Sequence, residues 1–272
     1  MSTTCPDGPP SQRAGTLRLP RSYLWLAGDR ADALAAGRAS MADRLVIDLA
    51  GVAPQHKGRA RDAVAAVLDA AQPVVLRIDA GSSAWFDDDV ALCRHPGVAA
   101  VILPRTEGID AVCAVAEQCL CDVLPGIATA RGVVHARAIA TVPGVTRLVF
   151  DAAALALDLG LDAEPPHPSD PAAAGHGEDA TRASFEAAEP ILQTYRAQLL
   201  LASRCAALAA PVETIGEGIA DPAALRAIVG RARRSGFRAG LCRHGWQVVE
   251  LNSAFSSSAP GAPSLDSSFP AT

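Results

Sequence analysis

Apolar residues fall into short runs along the chain, separated by longer stretches in which apolar positions recur at helical spacing. Most of these runs are continuously apolar, a pattern typical of parallel strands that are buried on both faces. We predict that each run forms a strand, with these bounds: Ser22–Ala27, Arg44–Ala50, Pro73–Ile78, Ala99–Leu103, Asp122–Ala128, Thr146–Phe150, Pro211–Ile215 and Arg238–His244.

The stretches between the predicted strands have the character of helices. The clearest helix start is at Asp221, which suits an N-cap because Pro222 follows at the first helical position. The predicted helices include Gly58–Ala71, Asp110–Cys119, Val133–Ala140, Arg182–Ala209 and Pro222–Ser235.

Eight strand–helix alternations predict an α/β fold, a single (β/α)8 TIM barrel over residues 20–255. A doubly wound open sheet is the alternative, but such sheets usually carry a glycine-rich phosphate loop after the first strand. Here the first predicted strand ends in Leu26-Ala27-Gly28-Asp29-Arg30, which lacks the glycines of that loop. The barrel is therefore the favoured fold.

Three segments interrupt this rhythm. Residues 1–19 and 256–272 are rich in Pro, Ser, Thr and Gly, and we predict a flexible N-terminal arm and a flexible C-terminal tail. Residues 161–181, rich in Pro, Ala and Gly, follow the sixth predicted strand on the face where barrel enzymes place their sites. This insertion is either a lid or substrate loop, or a disordered surface segment, which its composition favours.

Composition narrows the possible functions. The net charge is −5 and no basic patch stands out, which argues against a nucleic-acid partner. The polar start and the lack of a long apolar stretch predict a cytoplasmic protein without a membrane partner. The seven cysteines show neither a CxxC pair nor zinc spacing, so we expect reduced thiols. Lys57 is the only lysine and opens a helix-like stretch, a poor place for a Schiff base.

Seven groups of residues, in sequence order, resemble the motifs of the citrate lyase β-subunit family within the HpcH/HpaI aldolases. They are Arg21-Ser22-Tyr23-Leu24-Trp25; Val46-Ile47-Asp48-Leu49 with Val52-Ala53-Pro54, Lys57 and Ala60-Arg61; Val75-Leu76-Arg77-Ile78-Asp79; Ile102-Leu103-Pro104-Arg105; Ile127-Ala128-Thr129-Ala130-Arg131-Gly132-Val133; Phe150-Asp151-Ala152-Ala153-Ala154-Leu155 with Asp158-Leu159-Gly160; and Gly236-Phe237 with His244, Gln247-Val248, Asn252 and Ala254-Phe255.

The resemblance implies a TIM barrel, often a homotrimer, that cleaves or forms a carbon–carbon bond beside a CoA or acyl-carrier thioester, usually with Mg²⁺. It implies an acyl-CoA or a small carboxylate as ligand. It places Arg77 at the position of the arginine that holds the substrate carboxylate. Arg105 stands where the family has a lysine, so an anion pocket can persist there.

The same resemblance places alanines where the metal ligands belong. Ala128 stands at the position of the metal-binding Glu, and Ala154 at the position of the metal-binding Asp. Ala50 and Gly51 replace a further acidic pair. Because Mg²⁺ needs oxygen ligands, usually including carboxylates, we expect no metal cofactor and a divergent member that is a pseudoenzyme.

Three residues remain as catalytic candidates: Asp48, Asp151 and His244. Each also has a structural interpretation: Asp48 as the cap of a loop, Asp151 as an acid displaced along a strand end, and His244 as a satisfied histidine in the core. Arg77 is equally suited to a carboxylate contact and to a structural salt bridge.

Three functions therefore stay open. The first is a family member without metal-dependent lyase chemistry that binds an anionic thioester or carboxylate. The second is an active acyl-CoA lyase or thioester hydrolase whose site has moved to other residues. The third is a non-catalytic assembly or partner subunit.

Overall fold

Eight parallel strands form a closed barrel in the order β1 to β8, and β1 pairs with β8 to complete the ring. In this computed structural model the described residues are 19–30, 32–79, 81–119, 121–161, 177–216, 219 and 221–256. The strands are β1 Ser22–Ala27, β2 Arg44–Asp48, β3 Val74–Arg77, β4 Val98–Leu103, β5 Asp122–Ile127, β6 Val149–Phe150, β7 Val212–Thr214 and β8 Ala239–Cys242. The predicted TIM barrel is confirmed.

Helices follow the strands around the outside of the barrel. They are α1 Asp32–Arg38, α2 Lys57–Val67, α3 Phe86–Leu92, α4 Asp110–Gln118, α5 Ala130–Ala140, α6 Ala152–Asp158, α7 Gly177–Cys205, α8 Pro222–Arg234 and α9 Gly245–Ser256, with a short 3₁₀ helix at Pro54–His56. None of the helices in the described ranges is long and apolar enough to cross a membrane.

Several element bounds differ from the prediction for local reasons. Helix α2 ends at Val67, short of Ala71, because Leu68 has an extended backbone. Helix α5 begins at Ala130 because the side chain of Thr129 accepts a hydrogen bond from Gly132 N and caps the helix there. The sixth strand keeps only Val149–Phe150 of the predicted five residues, since the preceding residues make isolated bonds to β5.

The predicted arms lie almost wholly outside the described residues, and so does the part of the insertion at 162–176. The end of the predicted insertion is helical instead, because α7 already begins at Gly177.

Side chains pack in two layers on either side of the strands. Ten buried residues fill the inside of the barrel, and Trp25 packs against them at its C-terminal end. They are Tyr23, Val46, Val75, Ala100, Ile102, Leu124, Val149, Val212, Ala239 and Leu241. A larger layer lies between the strands and the helices. Aliphatic side chains dominate both layers, in keeping with the low aromatic content of the sequence.

Candidate functional site

The residues singled out by the family motifs meet at one rim of the barrel. Arg77 is the last residue of β3, and Ala128 directly follows β5. Ala154 lies in the first turn of α6, just after β6, rather than on a strand end. Because all eight strands are parallel, these positions share the C-terminal face, where TIM barrels carry their sites.

Asp48 is the centre of a hydrogen-bonded network at this rim. Its Oδ1 accepts hydrogen bonds from Arg77 Nη1 at 2.8 Å and from Gly51 N at 3.1 Å. Its Oδ2 accepts one from Trp25 Nε1 at 3.1 Å. Asp48 therefore caps the loop after β2, and Arg77 forms a salt bridge with it in the barrel mouth. These are the structural interpretations given to the two residues from the sequence.

Two guanidinium groups lie over the indole ring of Trp25. The Cζ of Arg77 is 4.6 Å from the ring centroid, and the Cζ of Arg243 is 4.0 Å from it. Both distances suit cation–π attraction. The mouth of the barrel therefore presents two cations on one aromatic side chain, with one carboxylate, Asp48, paired to Arg77.

Arg243 was not among the site residues predicted from the sequence, although the neighbouring His244 was. The register of the barrel explains its position. Cys242 of β8 pairs with Leu24 of β1, so the residue after Cys242 comes beside Trp25. That neighbourhood depends on the closure of the barrel between its first and last strands, which a motif along the chain does not reveal.

Arg105 lies on another part of the rim. It has a left-handed backbone conformation, with φ of 48°, and its side chain is 57% exposed. Its Nη2 contacts Asp158 Oδ1 at 3.2 Å, and Asp158 Oδ2 accepts a hydrogen bond from Ala130 N at 2.8 Å. Among the described residues, its ion pair is with Asp158 and not with the network around Asp48.

The surroundings of two catalytic candidates, Asp151 and His244, differ from those expected from the sequence. Asp151 is the N-cap of α6, and its Oδ1 accepts a hydrogen bond from Ala154 N at 3.1 Å. His244 is exposed and lies beyond the end of β8, so its interpretation as a core histidine is wrong. Gln247 ends the strand early, because its Oε1 accepts hydrogen bonds from the backbone N of Arg243 and His244.

Lys57 lies among acidic side chains and is 2% exposed. It donates to Leu49 O at 2.6 Å and pairs with Asp79 and Asp89. Burial raises the pKa of Asp89, while Lys57 and Arg61 oppose this rise. This lysine neutralises buried carboxylates and holds α2 and α3 to the end of β3.

Comparison with known proteins identifies the family. Residues 21–245 match the model of the HpcH/HpaI aldolase/citrate lyase family. The chain belongs to this family. A citrate lyase subunit beta-like protein from Deinococcus radiodurans is 30% identical over 252 residues, which cover 86% of this chain and 79% of that protein.

Solved structures agree with this family assignment. The citrate lyase β subunit of M. tuberculosis complexed with oxaloacetate and magnesium has a TM-score of 0.68 and 25% identity, covering 88% of this chain and 97% of that one. The M. tuberculosis protein CitE in complex with magnesium, acetoacetate and coenzyme A has a TM-score of 0.67 and 27% identity, covering 88% and 81%.

The donor set at this rim does not fit the magnesium bound by those relatives. Ala128 is 3% exposed, and its methyl side chain, like that of Ala154, offers no oxygen ligand. The nearby carboxylates already accept hydrogen bonds: Asp48 from Arg77, Asp151 from Ala154 N, and Asp158 from Ala130 N. In the described ranges, no group of three or more His, Cys, Asp and Glu residues is placed to hold a metal ion.

Proposed function

We propose that this citrate lyase β-subunit-like chain binds a small carboxylate or an acyl-CoA thioester at the barrel mouth, without Mg²⁺-dependent carbon–carbon lyase activity. The observation that carries the proposal is the pair of alanines, Ala128 and Ala154, at the positions where the family motifs have the metal-binding acids. Both positions lie at the C-terminal rim of the barrel, where Arg77 is the last residue of β3.

Loss of the metal ligands bears directly on the chemistry. Cleavage of a carbon–carbon bond beside a carbonyl leaves an enolate, and the metal in this family stabilises that negative charge. Removing such a stabilising group typically costs about 3–4 kcal/mol of transition-state stabilisation. Asp48 and Asp151 are poor substitutes, since each already binds backbone N–H groups or a guanidinium.

Binding of an anion does not require the metal. Nη1 of Arg77 is the guanidinium nitrogen that contacts Asp48, and the rest of its planar fork has further N–H donors suited to a carboxylate. Arg243 brings a second positive charge to the same indole ring. These features support retention of a carboxylate ligand of the kind found in the relatives, which bind oxaloacetate or acetoacetate.

The alternative of a relocated lyase or hydrolase site is less well supported. His244 is exposed, and in the described part of the chain no acid or base contacts its ring. Asp151 is the N-cap of α6, and its side chain accepts a hydrogen bond from the first turn of that helix. The third function, an assembly or partner subunit, is compatible with the fold, but no observation on the described residues favours it.

Calorimetric titration with oxaloacetate, acetoacetate and CoA thioesters tests the proposal. We expect the wild type to bind at least one of these ligands and the Arg77→Ala variant to bind it more weakly. A hydrogen bond to a charged group is worth about 1.5–3 kcal/mol, so the Kd of the variant should be roughly tenfold higher or more. Arg226→Ala is the matched control, since Arg226 is an exposed arginine of α8 paired with Glu250. Equal affinity of the wild type and the Arg77→Ala variant for every ligand rules out this role of Arg77.

A further inference from the structure

Two arginines reach the indole ring of Trp25 from strands on either side of β1. Strand β8, which is followed by Arg243, pairs with one edge of β1, while β2 and then β3, which ends in Arg77, follow on the other edge. The Cζ atoms of Arg77 and Arg243 lie 4.6 and 4.0 Å from the centroid of the ring. The barrel mouth therefore holds two guanidinium groups that belong to different parts of the rim.

The indole ring is fixed in this place. Nε1 of Trp25 donates a hydrogen bond to Asp48 Oδ2 at 3.1 Å, and the body of the ring packs against the side chains that fill the inside of the barrel. A guanidinium group is attracted to the face of such a ring. Trp25 is thus a platform that holds both cations at defined positions before any ligand binds.

Positive charge is in excess among the ionised side chains at this platform. Asp48 pairs with Arg77 at 2.8 Å and relieves part of the repulsion between the two guanidinium groups. An anionic ligand relieves more of it, because a second negative charge then faces the two cations. Each arginine has five N–H donors in a planar fork, so it can hold a carboxylate in addition to other partners.

A ligand in solvent can reach these groups. The side chain of Arg77 is 21% exposed, and Trp25 and Arg243 are partly exposed as well. All three lie at or just beyond the C-terminal ends of their strands. Binding therefore requires no opening of the barrel.

We propose that Arg243 determines ligand specificity at the barrel mouth, where it binds the second carboxylate of a short dicarboxylate whose first carboxylate is held by Arg77. This proposal rests on the function proposed above and narrows its ligand class. A monocarboxylate uses the Arg77 contact alone, whereas a dicarboxylate uses both arginines.

The positions of the two guanidinium groups limit the length of the ligand. Both distances are measured to one centroid, so the Cζ atoms of Arg77 and Arg243 lie no further apart than 4.6 and 4.0 Å taken together. A bound carboxylate keeps its oxygens about 2.7–2.9 Å from the guanidinium nitrogens. The carboxylate carbons of an extended four-carbon diacid are about 4 Å apart, at about 1.5 Å per carbon–carbon bond. Such a diacid reaches both forks when it lies across the ring.

One carboxylate shared by both arginines is the competing arrangement. The approach of Arg77 and Arg243 from either side of β1 favours two separate contacts instead. The two arrangements differ in a measurable way. A shared carboxylate makes Arg243 equally important for monocarboxylates and dicarboxylates, whereas separate contacts make it matter more for dicarboxylates.

Calorimetric titration of the full chain with oxaloacetate and acetoacetate, in metal-free buffer, tests the proposal. The two acids share a ketone and one carboxylate, and oxaloacetate has a second carboxylate where acetoacetate has a methyl group. We expect the wild type to bind oxaloacetate roughly tenfold more tightly or better, because a hydrogen bond between charged groups is added. Equal affinity of the wild type for the two acids overturns the proposal without any variant.

Variants separate the roles of the two arginines. Arg243→Ala should weaken oxaloacetate binding roughly tenfold more than it weakens acetoacetate binding, whereas Arg77→Ala should weaken both by similar factors. Arg243→Lys keeps the charge without the planar fork and should retain part of the preference. Arg226→Ala, which removes an exposed arginine of α8, is the control and should leave both affinities unchanged. Circular dichroism confirms that each variant is folded.

Failure of this proposal can be told from failure of the proposed function. If Arg77→Ala weakens acetoacetate binding but Arg243→Ala affects the two acids equally, the carboxylate site stands and the specificity role of Arg243 is wrong. If the wild type binds neither acid, the specificity role is wrong as well, and binding of CoA thioesters then decides whether the proposed function survives.

Discussion

Asp48 shows how a single side chain can connect fold and site. It is paired in register with Arg77, and it receives hydrogen bonds from β1, from β3 and from its own loop. The sequence suggested a loop cap for Asp48 and a structural salt bridge for Arg77. What the sequence could not give was the bond from Trp25, because it depends on the rotamer of a large side chain inside the barrel.

We predict that Asp48→Asn tightens anion binding while it weakens the fold. The amide oxygen can still accept from the backbone, but it no longer neutralises Arg77, so the guanidinium becomes more attractive to a carboxylate. Loss of the charged hydrogen bond should lower the free energy of unfolding by about 1–3 kcal/mol. Calorimetry with acetoacetate and urea denaturation measure the two effects. Weaker anion binding by this variant would instead indicate that Asp48 takes part in ligand recognition.

Asp151 is the second residue whose role the structure redefines. As the N-cap of α6 it accepts a hydrogen bond from Ala154 N. Asp151→Ala should therefore lower the free energy of unfolding by about 1 kcal/mol, and Asp151→Asn, which keeps a capping oxygen, by much less. Chemical denaturation distinguishes the two variants. Equal losses for both would show that the charge, and not the cap, is what matters at this position.

At the level of elements, α7 is held to the barrel by a buried ion pair. Arg196 contacts Glu213 of β7 through Nε and Nη2, with a shortest distance of 2.7 Å, and its Nη1 contacts Glu189 at 2.8 Å. Its guanidinium also lies 5.4 Å from the ring centroid of Phe150. Burial raises the pKa of Glu213, and Arg196 opposes this rise.

We expect Arg196→Met to lower the free energy of unfolding by about 3–5 kcal/mol, because it leaves Glu213 charged and unpaired in the interior. Adding Glu213→Leu should restore part of this loss, since the double variant removes both charges. Arg226→Ala, at an exposed pair, should change stability by less than about 1 kcal/mol. Thermal or urea denaturation provides the comparison. A double variant no more stable than Arg196→Met would argue against an uncompensated charge as the cause.

The sequence predicted the type of these elements better than their ends. Continuous apolar runs identified all eight strands, because strands buried on both faces leave a strong signal. Their ends depend on contacts between distant residues. Gln247 of α9, for example, ends β8 by binding the backbone of Arg243 and His244. No local pattern announces such a bond.

At the scale of the whole molecule, barrel closure decides which residues share a site. Parallel order alone places Arg77, Ala128 and Ala154 at one rim, so this part of the candidate site followed from the motifs. Closure between β1 and β8 brings Arg243 over the ring of Trp25. That contact could be predicted only from the register of the two strands. The proposed loss of metal-dependent activity rests on Ala128 and Ala154 at this rim. The cations and the indole ring in the barrel mouth support binding of an anion instead.

Calorimetric titration with Mg²⁺ tests this central claim most directly. Wild-type protein should show no specific binding, because Ala128 and Ala154 offer no oxygen ligand and the nearby carboxylates of Asp48 and Asp151 already accept hydrogen bonds. Such a donor set should not replace the tightly held water of Mg²⁺. Ala128→Glu with Ala154→Asp should create binding, whereas the uncharged control, Ala128→Gln with Ala154→Asn, should not. No cleavage of citryl-CoA or malyl-CoA above background should accompany the wild type with Mg²⁺ added. Micromolar Mg²⁺ affinity of the wild type, with metal-dependent cleavage that Arg77→Ala abolishes, would contradict the account.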